Sequence, residues 1–129
     1  MSNVADDVAN FLQSKGIGSR NTLNGWGIAV DNEPPSPPAP DKIITVYNTG
    51  GFAPIHSAGI RHPTVQVRAR GSPNEDGTVP YNKLEEARNA LMTGPFKRTW
   101  VMGDITNLGL DDSSRPIFTL NFRFEKEEF

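Results

Sequence analysis

Residues 115 to 129, "RPIFTLNFRFEKEEF", alternate so strictly that they admit one kind of local structure. Phe118, Leu120, Phe122 and Phe124 interleave with Ile117, Thr119, Asn121, Arg123 and Glu125. Successive side chains of a strand point to opposite faces, so the pattern reads as a β-strand with one face against a core. Four large apolar side chains on one face require neighbouring strands and a layer that covers them. The rest of the chain must supply both.

Candidates for the neighbours recur along the chain. "RTWVMGDITNLGL" (98 to 110) precedes the closing strand across "DDSS", which predicts an antiparallel hairpin. "HPTVQVRARG" (62 to 71) sets Val65, Val67 and Ala69 against Gln66, Arg68 and Arg70, and its strand is expected from Thr64 to Arg70. "GWGIAVD" (25 to 31) and "KIITVYN" (42 to 48) read as the first two strands.

Two stretches fit the covering layer. Val4, Val8, Phe11 and Leu12 form one stripe of a helix over residues 4 to 15, with Asn3 as cap, Asp6 and Asp7 in the first turn, Lys15 in the last and Gly16 as stop. In "YNKLEEARNAL" (81 to 91), Leu84, Ala87 and Leu91 share a face with the stem of Arg88, Asn82 and Glu85 pair as a cap, and Gly94-Pro95 ends the helix. The order helix, strand, strand, strand, helix, strand, strand predicts an α+β fold. Its sheet is twisted, mainly antiparallel or mixed, with about five strands and two helices packed on one face.

A chain of 129 residues supports one core, so a single domain over 1–129 is expected. Its 12 glycines and 11 prolines imply long loops. "NEPPSPPAPD" holds five prolines in ten residues and reads as a stiff extended connector at 33–41. A spacer is the favoured reading over a ligand for an aromatic groove. Residues 49 to 63, "TGGFAPIHSAGIRHP", read as a long loop whose Phe52, Ile55 and Ile60 argue for a binding role. Residues 71 to 80 read as a hydrophilic loop.

Thirteen basic against fifteen acidic residues give a net charge of -2, so no global field draws the chain to nucleic acid or anionic membrane. Zero cysteines exclude disulfides, thiolate chemistry and cysteine-ligated metals. Without a long apolar run or a basic-then-apolar leader, the expectation is a soluble protein kept in a cytoplasm. No nucleophile elbow or phosphate loop is present, and the paired carboxylates lie at turns and helix starts. His56 and His62, with Asp31, Asp41 and Asp104, lack the spacing of a metal site and read as solvated loop residues.

Arg68 and Arg70 remain. A single-strand nucleic-acid binder would set aromatics beside them, and this strand has none. Paired arginines near apolar loop residues suit a protein interface. Pointing away from the valines, they are expected to tolerate charge reversal without loss of fold.

In order and spacing, "ITVYNTGG" (44 to 51), "HPTVQVRARG", "YNKLEEARNAL" and "RPIFTLNFRFE" (115 to 125) resemble the tail terminator or minor capsid (head-tail joining) proteins of long-tailed bacteriophages. The likeness covers roughly residues 4 to 125. It implies a non-enzymatic virion component of the tail or neck, assembled in the host bacterial cytoplasm, with no cofactor and no metal. It further implies a homo-oligomeric ring, usually six-fold, that caps the tail tube protein, ends polymerisation and offers a docking surface to the head connector. DNA would pass through such a ring without being specifically bound, and no membrane is involved. The candidate interface residues are Arg68, Arg70, Phe52, Ile55, Ile60, Arg61 and His62. Two other readings stay open: a head-tail connector or tail completion protein at another level of the neck, and a small metal-dependent hydrolase.

Overall fold

The computed structural model describes residues 4–20, 25–33, 40–55, 60–94 and 98–127. Within them the chain forms α1 (Val4–Ser14), β1 (Gly27–Val30), β2 (Ile43–Ile55), β3 (Ile60–Arg70), α2 (Thr78–Met92), β4 (Arg98–Val101), β5 (Thr106–Leu110) and β6 (Pro116–Glu127). The sheet runs β1-β2-β3-β6-β4, with β5 also on β6. β1 and β2 are parallel and every other pair is antiparallel, so the sheet is mixed and open.

Register explains why the alternating residues meet. Ile28 pairs with Ile44, Ile44 with Ala69, Val46 with Val67, Val67 with Leu120, and Val65 with Phe122. These residues share one face, and α1 and α2 cover it with Val8, Leu12, Leu84, Ala87 and Leu91. Phe122 and Phe124 are buried, while Phe118 packs at the margin. Burial of each such side chain contributes about 1.5–3 kcal/mol.

α1 follows its apolar spacing and stops as expected. Gly16 adopts φ +75°. Its N–H bonds to Gln13 O at 3.0 Å and the next N–H, of Ile17, reaches back to Leu12 O at 3.1 Å. That is the two-bond arrangement of a left-handed helix end, and Ile17 is buried beside it. Asn3, the expected cap, lies outside the described residues.

Three expectations are corrected. α2 starts at Thr78, so Asn82 is not its cap. Gly77 is the N-cap, with no side-chain cap bond of its own; the Asp76 carboxylate just before it accepts from Thr78 N at 2.9 Å, and Pro80 sits in the first turn where no donor is required. The stretch 49–63 is not one long loop, because β2 continues to Ile55 and β3 begins at Ile60, with Phe52 opposite His62 and Ile55 opposite Ile60. Register shifts at Asn48/Gly51 and Phe52/Ile55 absorb the glycines and proline that suggested a loop. The expected strand over 98–110 divides into β4 and β5, both antiparallel to β6, interrupted at 102–105. Gly103, at φ +95°, lies in that break.

Candidate partner interface

The face of the sheet away from the helices carries Tyr47, Arg68, Arg70, Ile117 and Thr119. Level with Arg68 and Arg70 it is largely closed to solvent. Ile43, Thr45, Arg70, Ile117 and Thr119 are all buried there. The ends of the proline-rich connector account for part of this cover, since Glu33, Pro40 and Asp41 bond to Arg70.

Arg70 is 2% exposed. Its Nε donates to Asp41 O at 2.9 Å, Nη2 to Pro40 O at 3.0 Å and Nη1 to Glu33 Oε1 at 3.3 Å. Burial, followed by the neighbouring Arg115, pulls its pKa below the ordinary arginine value, and Glu33 opposes that shift. Arg68 is about one-third exposed and stands 3.2 Å from the other Glu33 oxygen, off the hydrogen-bonding angle. Tyr47 lies in the same field, its phenol pushed up by burial and then by the Glu33 charge. Arg115 extends the network to Asp41 at 3.2 Å and Asp111 at 2.8 Å, and Lys42 pairs with Glu75 at 3.2 Å.

The expected arginine pair is therefore divided. Arg70 holds the connector inside its own chain, and charge reversal there is not a neutral surface change. The sequence signal for this was the Glu33 before the prolines, whose place over β3 depends on the parallel β1–β2 crossover. Of the other interface candidates, Phe52, Ile55, Ile60, Arg61 and His62 have side chains outside the described residues. Their backbones form the outer part of the β2–β3 hairpin, where Ile60 pairs with Glu127 and Arg61 with Lys126 of β6. β1 accompanies β2 only from Ile43 to Val46. Asp31 extends the cover slightly, its carboxylate accepting from Asn48 N and Nδ2, each at 2.7 Å. Among the described residues, β2 has no outer strand neighbour from Thr49 to Ile55.

A second surface escaped the sequence reading. All five residues of β5 are exposed. Leu108 and Leu110 stand 53% and 65% open, and Met102 and Tyr81 are exposed beside them. Leu108 is the extra residue of a bulge between Asn107 and Gly109, with Gly109 at φ +88°. Next to β5 an open groove of about 660 Å³ is lined by Tyr81, Glu85, Arg88, Val101, Gly103, Asp104, Ile105 and Leu120. In "TNLGL" the apolar residues suggested an ordinary strand, and only the bulge and edge position turn them outward.

Among the described residues no cluster of three His, Asp or Glu side chains is arranged to hold a metal, and no helix is long and apolar enough to cross a membrane. His56 lies outside the described residues. The outer-face charges pair with one another and hold a connector, an arrangement of structural kind.

No curated protein matches the chain closely enough to count as a relative. The model of the family described as "Bacteriophage tail terminator protein" matches residues 11–128, from the middle of α1 past the end of β6. With a match over nearly the whole chain, this protein belongs to the bacteriophage tail terminator family, structural virion proteins of the tail and neck that engage tail and head components.

Proposed function

We propose that copies of this chain close into a ring, six-fold in the arrangement the resemblance implies, on the last ring of the tail tube. The ring halts tube growth and gives the head connector its docking surface, while DNA passes through without specific contact. The family match over residues 11–128 carries this reading. The open sheet supports it physically, because two different exposed edges suit head-to-tail contacts, and such contacts close when the rotation between subunits allows.

Sedimentation over a concentration series, with negatively stained images of the protein alone and on purified tail tubes, tests the proposal. Free subunits are expected at low concentration and closed rings at high concentration or on tube ends. A protein that stays monomeric with tubes present would overturn it. Binding to isolated necks but not to tubes would move it to another level of the particle.

A further inference from the structure

β5 is half of one open edge. β4 and β5 both run antiparallel to β6 on the same side, β4 beside Phe122 to Glu125 and β5 beside Pro116 to Thr119. Among the described residues neither has a second strand neighbour. β5 is exposed throughout, and its Leu108 and Leu110 are the most exposed large apolar side chains among the described residues.

Backbone geometry makes β5 receptive. Asp111 N donates to Arg115 O at 3.0 Å, so residues 111 and 115 are a bonded pair. In an antiparallel ladder the next pair, Leu110 with Pro116, directs its main-chain groups away from the partner strand, and Pro116 has no N–H to give. The N–H and C=O of Leu110 thus face outward, where an added strand would meet them. The groove beside β5 offers such a strand the apolar surfaces of Tyr81, Val101, Ile105 and Leu120.

Charge selects the occupant. From Asp104 to Asp112 the sequence has no basic residue. Asp111 is held by Arg115, and Glu85 in the groove has Arg88 beside it. Asp104 and Asp112 are exposed and pair with no cation among the described residues. The edge is therefore apolar between two acidic ends.

A second copy fits this edge poorly. Antiparallel pairing of β5 with another β5 sets the Asp104 end of each against the Asp112 end of the other, and pairing with a second β4 brings the two Asp104 residues, in the break between β4 and β5, together. Like charges so placed are destabilising. The outer part of β2, from Thr49 to Ile55, has no charged residue to answer them.

We infer that β5 takes an added strand from a different protein, an extended segment that is apolar at alternate positions and carries Lys or Arg toward its ends. This rests on the proposed function and names the surface by which the protein engages a tail or head component. β4 and the outer part of β2, at the other end of the sheet, remain for contacts between copies.

The chemistry is read with the end-capped peptide Lys-Val-Thr-Val-Thr-Val-Lys and its counterpart with Glu in place of both Lys, titrated into the free subunit and followed by NMR. The basic peptide is expected to bind at least tenfold more tightly than the acidic one and to slow exchange of the Leu110 amide. Asp104→Lys with Asp112→Lys should reverse the preference, which a misfolded variant could not do. On purified tail tubes and heads, the same variant should lose at least tenfold in binding to one of them while forming rings as the parent does. Peptides that fail to bind, bind equally or leave the Leu110 amide in fast exchange would overturn the inference. Loss of rings in the charge variant would also overturn it, giving the edge to a neighbouring copy and leaving the ring reading in place. A parent that binds neither tubes nor heads would remove the functional reading itself.

Discussion

Arg70 holds a full charge at 2% exposure, and what surrounds it determines what its loss would do. Replacing a buried pair by apolar groups of like volume is often neutral, but removing one partner strands the other. Arg70→Met would leave two backbone carbonyls and one Glu33 oxygen without their donors. We expect a loss of about 3 kcal/mol. For a domain of this size that lowers the melting midpoint by roughly 6 °C or more. Arg68→Met, at a partly exposed ion pair, should cost about 1 kcal/mol or less. Thermal melting of both variants checks this, and equal midpoints would show that the connector holds without Arg70.

At the scale of elements, the β5–β6 turn depends on one side chain. Asp111 accepts from Ser113 N at 2.9 Å, Arg115 N at 3.0 Å and Arg115 Nε at 2.8 Å. Burial alone would raise its pKa, but the two backbone donors and the guanidinium outweigh burial and hold it below the ordinary aspartate value. A carboxyl lowered on folding contributes stability in full above its unfolded pKa and loses it as pH falls through the folded one. Asp111→Ala is therefore expected to cost about 1–2 kcal/mol near pH 7. The difference from the parent should shrink below about pH 4. Denaturant titrations at both pH values measure it, and a difference independent of pH would mean that the charge contributes nothing. The strands and helices were legible because Phe118 to Phe124 and Leu84 to Leu91 repeat with the period of their own elements. The hairpin at 49–63 was not, because Gly50, Gly51 and Pro54 carry the same signal for a bulge as for a loop. Nor was the division of Arg68 from Arg70. Both point to the same face, and only the parallel crossover decides which of them the connector covers.

Across the whole molecule, protection is expected to follow position in the sheet. β3 is bonded on both sides, to β2 and β6, under both helices, whereas β5 has β6 on one side and is fully exposed. Backbone groups with few buried neighbours open at low cost, while central strands open only with the whole structure. Native-state hydrogen exchange should find the slowest amides at Val65, Val67 and Ala69 and the fastest strand amides at Leu108 and Leu110. Equal protection in β3 and β5 would contradict this. The place of β6 has another consequence, in time. It pairs with β3, β4 and β5 yet comes last of all the strands. At ~5–20 residues per second of synthesis, the roughly 45 residues between the end of β3 and the start of β6 take ~2–9 s to appear. Through that interval the valines of β3 have β2 on one side and nothing yet made for the other, so the nascent chain holds an unfinished sheet on the ribosome until its last strand emerges.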